Sequence, residues 1–253
     1  MAPTTSLSGL IYRRERVYYA LLVFFSLIAY GALGAAVYLS PESAAGVLVY
    51  IPAFAIMVFM TQGLMVGRLR GNGIRVSPRQ FPTLHKLASQ HAATLGMKRL
   101  PDIFVLESGG LLNAFATRFW GRDFVVIFAD VLALAEARGE AAVGFIVAHE
   151  LAHIRRGHLK HRWLTLPGKI VPYLGPAYSR ACEYTCDRFG AHCQPDGAID
   201  GLLVLAAGRD LYRQVDAREY ARQVETEKGY FVNRAELMAT HPHLPKRVAA
   251  LLK

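Results

Sequence analysis

The chain has 253 residues, 53% of them apolar and 19% charged, with a formal net charge of +10 and 3 cysteines. That length holds one or two domains. The apolar content excludes intrinsic disorder, the sparse cysteines exclude a small disulfide scaffold, and the basic balance leaves nucleic acid or an anionic membrane surface as partner.

Val17 to Leu39 and Ala44 to Val66 contain no charged residue. At about 1.5 Å per residue each stretch reaches roughly 34 Å, enough for a hydrocarbon core of about 30 Å. Tyr18, Tyr19 and Tyr38 sit near the ends of the first stretch, where aromatic belts occur. Ser40 to Ser43 is too short to be anything but a hairpin tip, and Pro52 is expected to kink the second span. Two buried helices of a soluble core are the competing reading, but uncharged runs of this length usually mean lipid. A cleaved signal peptide is not expected, because the first run is too long and a second follows at once.

Arg13, Arg14 and Arg16 precede the first span, and Arg68, Arg70, Arg75 and Arg79 follow the second. The tip between the spans carries only Glu42. The positive-inside rule then predicts a two-span membrane protein with both termini and everything after residue 70 in the cytoplasm. The division expected is a membrane anchor over 1–70 and one domain over 71–253, with lipid accounting for much of the basic charge. No zinc-finger pattern or aromatic RNA-binding signature occurs, so nucleic acid is not expected as a partner.

In the second domain, Gly71-Asn72-Gly73 reads as a turn and Ser77-Pro78 as the start of a helix closed by Gly96. Ile103 to Leu106 reads as a strand. Ala114 to Phe119 and Phe124 to Phe128 read as a hairpin about Trp120-Gly121-Arg122-Asp123. Asp130 to Ala137 is a short helix, and a longer one runs from about Glu140 to His161. Further helices are expected near 179–192, 197–213, 216–228 and 246–252. A small antiparallel sheet followed by helices is an α+β arrangement.

His149-Glu150-Leu151-Ala152-His153 lies inside the long helix. Histidines at i and i+4 are about 40° apart around a helix, so both imidazoles reach one side, as a tetrahedral metal requires. Glu150 can reach a metal-bound water without itself binding the metal. The run before the motif, Ala141 to Ala148, is almost wholly apolar. Two histidines and a carboxylate in a buried helix are costly without a metal or strong partners. Glu183 and Asp187 share a face of the next helix. Glu183 is the candidate third ligand, and Asp187 the candidate acceptor for the far nitrogen of a ligand histidine.

With these motifs the chain resembles the membrane-anchored gluzincins of the HtpX and CAAX-prenyl-protease type. The resemblance rests on the apolar hairpin, Asn113-Ala114-Phe115-Ala116, the zinc motif with Ser179-Arg180 and Glu183-Tyr184 to Asp187, and His241-Pro242 with Arg247. It implies a gluzincin-type metallopeptidase domain with one Zn2+ per chain. It also implies an edge strand at Asn113, Ala114, Phe115 and Ala116 that pairs with an extended substrate. His241 would stabilise the oxyanion, and Arg247 would position it or the substrate. Here Cys186 stands where the family often has Ala, and Pro242-His243 where it often has Pro-Pro. HtpX has two further spans between the histidine motif and the glutamate; the segment from Trp163 to Tyr178 is short and broken by prolines and glycines, so none fits.

The expected function is zinc-dependent hydrolysis of peptide bonds. A zinc-activated water attacks, and Glu150 acts as general base on membrane, membrane-proximal or misfolded proteins. The alternative is a catalytically silent zinc-containing membrane scaffold. Cys182, Cys186 and Cys193 read as reduced, buried small residues, and the basic run Arg155 to Arg162 as a solvated helix end. His243 reads as a surface histidine. Nothing in the sequence sets the oligomeric state, the substrate or the cleavage preference.

Overall fold

The computed structural model describes residues 7–107, 109, 113–134 and 139–253. Two apolar helices come first, α1 (Arg13–Leu39) and α2 (Pro41–Asn72), joined at Ser40. Both are long and apolar enough to cross a membrane, and little of either is buried against protein. The expected tip shrinks to one residue, because Pro41 occupies the first turn of α2, where a missing N–H is tolerated. α2 continues through Pro52 and beyond the uncharged run.

Strands β1 (Ile74–Arg75), β2 (Asp102–Leu106), β3 (Ala114–Phe119) and β4 (Arg122–Phe128) form one sheet in the order β1-β2-β4-β3. The sheet is mixed, not antiparallel throughout: β2 runs parallel to β4, with Ile103 opposite Val125. The reason lies in composition. Phe124 to Ile127 is a continuous buried apolar run, which suits a central strand covered on both faces, while half-buried β3 takes the edge. Trp120 (φ 47°) and Gly121 (φ 77°) make the hairpin turn, tighter than the four residues expected. A tryptophan in that region is strained; its ring stacks edge-on against Phe59 of α2, centroids 5.5 Å apart.

The helices after the sheet are α4 (Ala129–Leu134), α5 (Glu140–Arg156), α6 (Arg162–Thr165), α7 (Leu174–Cys193), α8 (Ala198–Leu211), α9 (Ala217–Thr226), α10 (Tyr230–Met238) and α11 (Leu244–Leu251), with α3 (Pro82–Thr94) before β2. Ser77-Pro78 does not start α3. The Ser77 hydroxyl accepts the N–H groups of Arg79 and Gln80 in a turn, and Pro82 is the proline of the first helical turn. The last part of the expected helix 130–137 lies outside the described residues. α5 stops at Arg156, five residues early, because Gly157 takes a left-handed φ of 72° and turns the chain. β1 and α10 were not expected.

The sheet separates two apolar clusters. Ile103, Val105, Val125 and Ile127 face α5, while Phe104, Phe124 and Val126 face Val66 and Leu69 at the end of α2. Every residue of α5 from Ala142 to Ala152 is buried, the pattern of a helix enclosed by its neighbours. Gly190 of α7 and Gly201 of α8 leave room for Phe145; a Cβ at either position would run into its ring. That packing brings α7 against α5 at the level of the histidine motif.

Candidate active site

The Nε2 atoms of His149 and His153 lie 3.3 Å apart. Glu183 places Oε1 3.3 Å from His153 Nε2 and Oε2 3.5 Å from His149 Nε2. Bonds of about 2.0–2.1 Å at a tetrahedral angle separate ligand atoms by roughly 3.3–3.4 Å, so the three donors fit one zinc-sized ion. All three line a cavity of about 270 Å3 together with Glu150, His241, Arg247 and Asn113 to Ala116.

The electrostatics also call for a cation. Burial favours neutral His149, yet Asp187 and Glu183 outweigh it and raise its pKa to about 10. Burial pushes Glu183 up, but the two imidazoles hold it well below the ordinary carboxylate range. The Cys186 sulfur also lies within 4.8 Å of a nitrogen of each histidine. Burial, with Glu183 nearby, drives that thiol far above its ordinary pKa, so it stays protonated and is the poorer donor. The three cysteines are free, and burial raises the pKa of each.

Glu150 is buried beside the histidines. Burial raises its pKa, while His149 and His153 and the Ala116 backbone N–H favour the charged form. Asp187 Oδ1 lies 3.0 Å from His149 Nδ1, without the alignment of a hydrogen bond. Its two oxygens instead accept from Arg247 Nε at 2.8 Å and Nη2 at 2.6 Å. Arg247 Nη1 lies 3.1 Å from Glu183 Oε2. Arg247 thus holds both carboxylates of α7, a role its sequence position does not announce.

His241 stands at the rim, its side chain 66% exposed and its Nε2 3.7 Å from Glu183 Oε1. Its Nδ1 is 3.1 Å from the Thr240 hydroxyl. Arg180 Nη1 donates to the carbonyls of Glu236, Leu237 and Ala239, tying the chain just before His241 to α7. The Ser179-Arg180 pair stood out in the sequence, but the contact that matters spans 56 to 59 residues. Ala114 to Phe119 form the edge strand of the sheet, and among the described residues no strand pairs with its outer side.

The model of peptidase family M48 matches residues 78–172 and 168–253. No curated protein and no solved structure matches the chain.

Proposed function

The chain belongs to peptidase family M48, and on that footing we propose that it is a zinc endopeptidase anchored in a membrane by α1 and α2. The observation that carries this reading is the spacing of His149, His153 and Glu183 at the floor of a cavity flanked by a free strand edge. Those three residues would hold the ion. Zinc, when bound, lowers the pKa of a water towards about 7 and polarises the scissile carbonyl.

The chain's own groups supply the rest. Glu150 takes a proton from the attacking water at its carboxylate and returns it to the leaving amine, a step worth about 10²–10⁴-fold. Arg247, anchored on Asp187, holds Glu183 in place. His241, hinged at the rim, donates to the developing oxyanion. A substrate in extended form pairs with Ala114 to Ala116 on β3, which fixes its carbonyl over the floor. The basic residues flanking both spans support a cytoplasmic peptidase domain, divided from the anchor near residue 70. Substrates with segments at the membrane surface, misfolded ones included, fit that placement.

The test is cleavage of casein by the full chain in detergent, wild type beside Glu150→Gln and His149→Ala, with zinc measured on each. Expected are cleavage by wild type alone, zinc retained in Glu150→Gln, and zinc lost in His149→Ala. Full zinc occupancy in His149→Ala overturns the ligand assignment, and undiminished cleavage by Glu150→Gln overturns the base.

A further inference from the structure

Glu15 is out of character with its helix. α1 shows mostly apolar, exposed side chains, yet the Glu15 carboxylate is only 3% exposed. Burying a carboxylate costs several kcal/mol unless it is well paired. Its partners come from the end of the histidine helix. Arg156 donates to Glu15 Oε1 from Nη2 at 2.7 Å and from Nε at 3.2 Å. His158 Nε2 lies 3.3 Å from the same oxygen.

His158 reaches this place because α5 ends on the left-handed Gly157. That turn folds the chain back, with the His158 N–H donating to the His153 carbonyl at 3.1 Å. The other ring nitrogen of His158, Nδ1, then lies 3.0 Å from Nδ1 of His153. His153 is a candidate metal ligand through Nε2, the atom facing His149 and Glu183. Its remaining nitrogen needs an acceptor to fix the tautomer and the ring plane. The Cys186 sulfur lies 3.8 Å from the same His158 Nδ1.

We propose that Glu15 and His158 are positioning residues for the metal centre, holding the His153 ring through a relay that starts on the N-terminal apolar helix. The inference rests on the zinc reading above. Proton positions in the relay follow from geometry. With His153 Nε2 given to the metal, its proton sits on Nδ1 and is donated to His158 Nδ1. His158 therefore carries its own proton on Nε2, pointing at Glu15 Oε1. Along the relay no donor faces a donor, and Glu15 Oε1 takes the last proton, while Glu15 Oε2 stays buried without a hydrogen-bond partner among the described residues. The carboxylate–histidine pairing familiar behind metal ligands is here lengthened by one imidazole, and its carboxylate comes from a helix outside the peptidase domain.

The test uses the full chain in detergent and two readouts besides activity: zinc affinity by chelator competition, and the visible absorption of the cobalt-substituted protein, which reports ligand geometry. Glu15→Gln and His158→Asn are close to isosteric and keep the segment polar. Expected is a loss of roughly 10–100-fold in zinc affinity for His158→Asn, a smaller loss for Glu15→Gln, and cobalt bands displaced in the same direction in both. Ser26→Ala serves as the control. It removes the hydroxyl that accepts the Gly168 N–H at 2.8 Å, loosening α1 from the domain without touching the relay. It should lower thermal stability and leave affinity and bands at wild-type values.

Wild-type affinity and bands in both relay variants would overturn the proposal and leave Glu15 as a docking residue only. Zinc affinity unchanged in His149→Ala would instead show that the metal reading underneath it fails.

Discussion

Arg247 is 4% exposed and lies against two carboxylates, Asp187 and Glu183. Removing one partner from a buried, hydrogen-bonded ion pair costs about 3–5 kcal/mol, because the charge left behind has no water to replace it. Arg247→Met keeps the volume and removes the charge. It should lower stability by about that amount and weaken zinc binding as Glu183 loses its support, read by denaturant unfolding and zinc titration. A variant as stable as wild type would mean that the two carboxylates find another cation. His149, Glu150, His153, Glu183 and Asp187 were readable in the sequence because their geometry is helical and local: i and i+4 define a face without knowledge of the fold. The partners of Arg247 were not readable, since Asp187 lies 60 residues away and only the docking of α11 on α7 brings them together.

Whole elements were legible where one period dominates. The two apolar helices, the hairpin and the helix of the histidine motif carry strong, uninterrupted patterns. α10 carries none. Its Tyr230, Phe231 and Met238 are exposed, and the helix is held from outside by Arg180 and by the Lys246–Glu236 ion pair. Burial pushes the Glu236 pKa up, but Lys246 more than offsets this and holds it below its ordinary value. The sign follows: the stabilisation is complete above about pH 4.3 and is lost as the pH falls through the lower folded value. Limited proteolysis should therefore find 226–240 protected at neutral pH and cut in strong acid. Lys246→Met should expose it at neutral pH; equal protection in that variant would show that Arg180 and the Arg234–Tyr173 hydrogen bond fasten α10 without the ion pair. Sheet order escaped the sequence for a related reason. A hairpin can dock by either strand, and the choice of β4 as the inner one reflects which strand can be covered on both faces.

At the scale of the whole molecule, the two apolar helices do more than tether. Val66 and Leu69 close one face of the sheet, Leu22 is fully buried, and the Gly168 backbone rests on Leu22 and Ser26. Each apolar side chain withdrawn from such a contact forfeits about 1.5–3 kcal/mol. Residues 71–253 alone should therefore aggregate or unfold rather than yield a soluble peptidase, as judged by gel filtration and circular dichroism. A monomeric, zinc-binding fragment would show that the helices only anchor.

The hairpin tip sets a length scale. Phe119 packs on Phe59 and fills the notch left by Gly63, so β3 ends against the apolar part of α2. Ala116, which faces Glu150, lies three residues up the same strand. At about 3.4 Å per residue that is roughly 10 Å. On the proposed reading, a polypeptide emerging from the bilayer beside Trp120 and pairing with β3 would present its scissile bond a few residues from the lipid surface. The strand would then act as a ruler with its zero at the membrane, and cleavage would be specified by distance along the chain as well as by side chains.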